Sequence, residues 1–246
     1  MDYTAVNAKV KAMRANLLTK PQYQLLCQSK SGSHYFEQLK GYQAYSEGRF
    51  SESMLSDSLN EEYKRLRLFM GNGEGRRILY LAEQQDFMKA WSFVRTLPAS
   101  SANRQALTYI KGSEIDLNNL LRIYRLKRYF QNAEIYPQLI PVCYKLSKEN
   151  IKQMAESPGV GEFIVALKHS PYAGLSFENA EISLEREISF KVRHIYSKME
   201  KRYPRSLAGV LGYFFSKRIE INNLNTISEG IKYQLPAEEI FGELML

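Results

Sequence analysis

The sequence predicts an all-α protein built from tandem copies of one helical unit, and three observations carry that prediction. Apolar residues recur at helical spacing in several segments, no sustained period-2 alternation marks a β-strand, and one stretch repeats itself without gaps. Composition agrees: of 246 residues only 14 are Gly and 8 are Pro, too few for a loop-rich β fold, and 44% apolar content is ordinary for a globular chain.

Taken in order, Val6, Val10, Met13, Leu17 and Leu18 place one apolar stripe on a first helix. Thr19, Lys20 and Pro21 break it, and Pro21 suits the first turn of a second helix, where its missing N–H would be unpaired anyway. Ser58-Leu-Asn-Glu61 has the form of a capping box, with a helix running from it through Phe69. Gly71-Asn-Gly-Glu-Gly75 is a connector. It lacks the Lys-Ser/Thr ending and the preceding strand of a phosphate loop. Ser157-Pro-Gly-Val-Gly161 is a loop between helices on the same grounds. From Ser183, Leu184, Ile188, Val192, Ile195 and Met199 follow one another at three- and four-residue intervals, an amphipathic helix ending near Tyr203-Pro204. Cys27 and Cys143 lie far apart in apolar runs without CxxC spacing, which predicts two buried packing residues in a reducing compartment.

The repeat is the most specific signal. Tyr109-IKGSEIDLNNLLRI-Tyr124 and Tyr213-FFSKRIEINNLNTI-Ser228 align at an offset of 104 residues, setting Asp116 on Glu220, Asn118 on Asn222 and Asn119 on Asn223. Each copy reads as a helix that ends or bends near the acidic-apolar-Asn-Asn-Leu run, with a second helix opening from it, because acids and Asn favour helix starts. These six residues are therefore expected to cap and orient helices, with direct contact to a partner as the competing role.

Charge is unevenly placed on a chain of net charge +8. Between Arg186 and Arg218 nine Lys/Arg face two acids, whereas from Ile219 onward one Lys faces five Glu. Such a basic run favours an anionic partner, and Lys191, Arg193, Lys198, Lys201, Arg202 and Arg205 are the candidate interface residues. The first 18 residues lack the apolar core of a secretory signal, and the longest apolar run, Leu207 to Phe215, is less than half the roughly 20 residues of a membrane span. The expected setting is cytoplasmic, with any membrane contact peripheral.

GSEIDLNNLLRIYRLKRYF from Gly112, YPQLIPVCYKL from Tyr136, the run from Tyr203 to Ile240 and MDYTAVNAKVKAMRANLL at the start together resemble the C subunit of the V/A-type ATPases, called the d subunit in eukaryotes. The resemblance implies a funnel of three similar helical lobes in pseudo-threefold arrangement. It also implies a non-catalytic rotor role, linking the central-stalk subunits to the proteolipid ring at the cytoplasmic face, with no cofactor and no metal. Family members are longer, and the stretch between about Leu55 and Asp86 is compressed here, which implies a shortened first lobe. The expected division is a lobe over 1–85, a central repeat over 86–180 and a carboxy-terminal repeat over 181–246, with 1–30 as a candidate to pack on the last.

Enzymatic signatures are missing. His34, His169 and His194 share no metal-ligand spacing, and neither a GxSxG element nor a Cys with an assignable His partner is present. Two other readings stand beside the rotor role: a basic helical nucleic-acid-binding protein, which explains the charge but not the repeat, and a generic helical scaffold.

Overall fold

The computed structural model describes residues 2–45, 52–71, 73–130, 134–175 and 184–246. Among them every regular element is helical, with no strand. The chain forms two compact units, one of residues 1–79 with 204–246, the other of residues 80–203.

The first unit holds α1 (Thr4–Arg14), α2 (Lys20–Cys27), α3 (Gly32–Lys40) and α4 (Glu52–Phe69). As the sequence predicted, Thr19 and Pro21 open α2: the Thr19 N–H and hydroxyl both donate to Gln22 Oε1, at 2.7 and 2.9 Å, closing a capping box. Ser58 does not cap. It lies inside α4, where the amides that a serine would satisfy already bond to carbonyls of the preceding turn. After α4, Gly71 and Gly73 stand at φ of 60° and 128°, conformations that glycine reaches without steric cost. Beyond them α5 (Glu74–Glu83) carries the chain into the second unit.

In that unit α6 (Phe87–Thr96) is capped by Asp86, which accepts from Lys89 N–H, and α7 (Ala102–Tyr129) by Ser101, which accepts from Arg104 N–H. Next come α8 (Lys148–Glu156), capped by a reciprocal Ser147 and Asn150 pair, α9 (Val160–Lys168) and α10 (Leu184–Arg202). Ser157 to Gly159 links α8 to α9; the loop expected over Ser157 to Gly161 is shorter, since Val160 and Gly161 already belong to α9. Leu184, Ile188, Val192, Ile195 and Met199 of α10 are all buried, and α10 packs along α7. The chain returns to the first unit with α11 (Ala208–Lys232) and α12 (Ala237–Gly242).

Both units centre on one long helix, α7 with 28 residues and α11 with 25. In the second unit α9 and α10 follow the long helix and pack against it, with α8 on α9 and α6 on the long helix from the other side of the sequence; in the first, α2, α3 and α4 pack against α11 from the amino-terminal segment, with α11 far later in the chain. The likeness reaches single residues. Buried Tyr23, Leu26 and Cys27 of α2 correspond to buried Ile151, Met154 and Ala155 of α8, and Tyr35 and Leu39 of α3 to Phe163 and Leu167 of α9, each pair 128 positions apart. The same helical pair thus lies against a long helix in both units, after it in sequence in one and before it in the other.

Cys27 is buried as expected, but Cys143 is exposed, because the loop carrying it turns Ile140 and Leu146 inward instead. That loop lies against α7 through Tyr144, whose ring covers Gly112: a Cβ there would stand 2.4–2.7 Å from the ring carbons. Tyr144 in turn meets Trp91 and Tyr109 edge-on, with centroids 6.0 and 6.2 Å apart. Gly112→Ala should therefore displace the ring and the loop behind it, lowering stability by about 2 kcal/mol as overpacking does. Thermal melting followed by circular dichroism checks this, and an unchanged midpoint would show that the ring moves aside without cost.

Candidate functional site

The repeated acidic-apolar-Asn-Asn-Leu run does not end or bend a helix. Asp116 to Leu120 and Glu220 to Leu224 lie in the interior of α7 and α11, both continuous. Acid and second Asn are three residues apart, so they share one face, and that face is buried: Asp116 and Asn119 are 0% exposed, Glu220 and Asn223 2%. Their polar atoms cap groups of other segments instead of the helix that carries them.

Asn119 makes the same pair of bonds as Asn223. Its Nδ2 donates to the Ile140 carbonyl at 3.0 Å and its Oδ1 accepts the Ile140 N–H at 2.9 Å. Asn223 donates to the Met245 carbonyl at 3.1 Å and accepts the Met245 N–H at 2.8 Å. One carboxamide thereby satisfies both backbone groups of a single residue, 21 or 22 positions downstream, as a neighbouring strand would.

The acids hold the start of the next helix. Asp116 Oδ2 accepts the N–H groups of Lys145 at 2.7 Å and Leu146 at 3.2 Å, Oδ1 that of Tyr144 at 3.2 Å, and the Tyr172 hydroxyl donates to Oδ2 at 3.0 Å. Burial pushes the Asp116 carboxyl above its ordinary value against the opposing pull of these four donors. Glu220 Oε2 accepts Leu18 N–H at 2.6 Å, while Oε1 accepts the Tyr45 hydroxyl at 2.5 Å and Lys217 Nζ at 2.6 Å. Leu18 and Leu146 each precede the N-cap of the helix that follows, so acid, amide and tyrosine recur in both units. Burial, followed by the adjacent carboxylate, raises the phenols of Tyr172 and Tyr45. The unit with Glu220 adds a buried cation, Lys217, 6% exposed and paired with a carboxylate 2% exposed.

The first asparagine of each pair has no shared role: Asn222 is exposed, and Asn118 Oδ1 is buried without a hydrogen bond among the described residues. Tyr45 and Tyr172 had no sequence signal, since their partners lie 175 and 56 positions away, whereas Lys217 stands three residues before Glu220, a helical pairing distance that could have found it.

The basic candidates are divided between the two units. Lys191, Arg193, Lys198, Lys201 and Arg202 stand on α10 in the second unit, whereas Arg205 belongs to the first, 4.0 Å from Asp2. On a helix of 3.6 residues per turn, Lys191, Lys198 and Arg202 share a face, and Arg193 points away from it toward the Phe190 ring. Lys198 Nζ lies 5.7 Å from the centre of the Tyr109 ring. No cluster of His, Cys, Asp or Glu able to hold a metal ion occurs among the described residues.

Sequence comparison places these features among known proteins. The profile of a family described as the ATP synthase (C/AC39) subunit matches residues 76–242, a span holding both long helices and both acidic-apolar-Asn-Asn-Leu runs. The A-type ATP synthase C subunit of Archaeoglobus fulgidus is 33% identical over 153 residues, covering 61% of this chain and 44% of that protein. Its counterpart in Methanobrevibacter smithii is 27% identical over 135 residues, 51% of this chain and 35% of its own length. The matched stretch spans less than half the length of either relative.

The junction geometry sets the expected cost of breaking each clamp. Asn119→Ala leaves a buried N–H and C=O unpaired and should cost about 2–4 kcal/mol, and Asn223→Ala, whose Met245 partner groups are part-buried, should cost less, each read as a lower urea midpoint at unchanged slope. Lys217→Met should be milder than Glu220→Gln, which strands a buried ammonium and should cost on the order of 3–5 kcal/mol. Equal losses in the two would mean that the pair acts through packing alone.

Proposed function

The chain belongs to the ATP synthase C/AC39 subunit family, and on that basis we propose that it serves as a non-catalytic rotor component. In this role it seats the central-stalk subunits on the proteolipid ring at the cytoplasmic face of the membrane, in ATP-coupled movement of protons or sodium ions. The family match over residues 76–242 carries the reading.

The physical character of the two units supports it. A component that passes torque must not yield along its length, and each unit is threaded by one uninterrupted helix about 40 Å long by its residue count. Buried clamps fix each helix to the segments around it, and breaking one exposes unpaired polar groups to an apolar interior, which resists local bending. Among the described residues no helix is long and apolar enough to cross a membrane. On this reading the ring is met from outside the bilayer. The basic residues of α10 would add on the order of 1 kcal/mol each near anionic headgroups. A permanent rotor contact needs a larger and more apolar area, upward of about 2,000 Å².

Affinity purification of the tagged chain from detergent-solubilised membranes of its own source should recover the proteolipid of the ring together with central-stalk subunits. Recovery of nucleic acid or unrelated proteins in their place would overturn the rotor assignment. Charge reversal at Lys201, Arg202 and Arg205 to Glu should weaken sedimentation with ring-containing membranes at unchanged helicity, and full retention would remove the basic run from the docking surface.

A further inference from the structure

The repeated tyrosine at the start of the internal repeat stands in opposite electrostatic surroundings in the two units. Tyr213 of α11 is 3% exposed, and its hydroxyl donates to Glu62 Oε1 of α4 at 2.9 Å. That position is closed within the fold. Tyr109 of α7 is half-buried and meets lysines where its counterpart meets an acid. Lys145 Nζ donates to its hydroxyl at 3.0 Å and lies 4.1 Å from its ring centre, while Lys198 Nζ lies 5.7 Å from the same centre. Lys191, two turns before Lys198 on the same face of α10, adds a third cation.

The aromatic rings of Tyr109, Tyr144 and Tyr172 account for part of this convergence, with Lys145 Nζ within 5.9 Å of all three ring centres, but the described residues offer no carboxylate to balance the charge. Among the described residues none of Lys145, Lys191 and Lys198 forms an ion pair. Glu114, five residues beyond Tyr109, is taken by Lys111 at 2.8 Å and by the Tyr196 hydroxyl at 2.6 Å. Three like charges held around one phenol repel each other, a cost that a surface normally avoids by interleaving signs. The arrangement is also built in part: Asp116 and Gly112 hold the Tyr144–Leu146 loop, so that Lys145 reaches Tyr109 from a backbone pinned by three hydrogen bonds. Lys145 spends one of its three protons on Tyr109, whose own O–H still has a proton to donate. The Lys145 hydrogen bond foremost, with the charges of Lys145, Lys198 and Lys191, holds the Tyr109 phenol below its ordinary value.

We propose that Lys145, Lys191, Lys198 and the Tyr109 hydroxyl form a binding site for a phosphate-type oxyanion, either free phosphate or the phosphomonoester headgroup of a lipid. Lysine ammonium groups act as point charges toward phosphate, and a tetrahedral anion offers several oxygens to donors converging from different elements. The site lies within the second unit alone and does not depend on the rotor assignment.

The test uses the full chain at constant ionic strength, with inorganic phosphate exchanged for chloride. Phosphate should raise the melting temperature along a saturating curve. The double variant Lys191→Gln and Lys198→Gln, which alters only the face of α10 turned to Tyr109, should bind roughly tenfold more weakly per lysine removed, the equivalent of one charge-assisted hydrogen bond. Tyr109→Phe should weaken phosphate binding without abolishing it. Lys152→Gln, an exposed control on α8, should leave binding unchanged. Sedimentation with phosphatidylcholine vesicles, with and without phosphatidic acid, separates the sources. Variant-sensitive binding to phosphatidic acid assigns a headgroup, and phosphate binding without vesicle binding assigns a soluble anion. A response to phosphate that does not saturate, or one reduced equally by Lys152→Gln, would overturn the site.

Discussion

Each unit is held in register by a buried asparagine that bonds to both backbone groups of one distant residue. Asn119 and Asn223 sit on the covered faces of α7 and α11, and a carboxamide there is tolerated only because its donor and its acceptor are both used. The bond pair selects one alignment between the long helix and the segment that closes over it. Three residues earlier Asp116 or Glu220 holds the chain just ahead of another helix, so in the second unit one connection is pinned at two points, and in the first the amino-terminal and carboxy-terminal segments are pinned to the same helix.

The two junctions solve the same problem with different chemistry. Asp116 reaches three consecutive amides and a tyrosine, enough donors for a short carboxylate drawn close to the loop. Glu220 has one more methylene and reaches a single amide, with Tyr45 and the Lys217 ammonium supplying the remaining donors. A buried ion pair is weak support for stability in itself, since desolvation offsets much of the attraction. Its value here is directional: Lys217 also donates to the Tyr45 hydroxyl at 2.9 Å, tying the amino-terminal segment to α11 across 172 positions of sequence.

That long tie changes what the repeat means. The Tyr109 and Tyr213 copies cover only the long helices, while the helices packed around them repeat separately at an offset of 128 residues. Tyr35 and Leu39 do for α11 what Phe163 and Leu167 do for α7, from the opposite end of the chain. The family profile, which begins at residue 76, covers both long helices but only one of the two sets of helices around them.

The helical class, the position of most breaks, the buried stripe of α10 and the equivalence of Asp116-Asn119 with Glu220-Asn223 were all legible in the amino acids, because each is written in spacing along the chain and local spacing governs helical faces. The role of the repeated polar residues was not. Asp and Asn favour helix starts when solvent is the alternative, and packing alone makes that alternative an apolar interior in which they must find distant backbone groups. The same holds for Ser58, which looks like a cap until the helix is seen to begin at Glu52, and for Arg205, adjacent to the basic helix in sequence yet part of the other unit. Which amide or tyrosine meets which acid was set in three dimensions, since contacts across 28 to 202 positions leave no periodic trace in a single sequence.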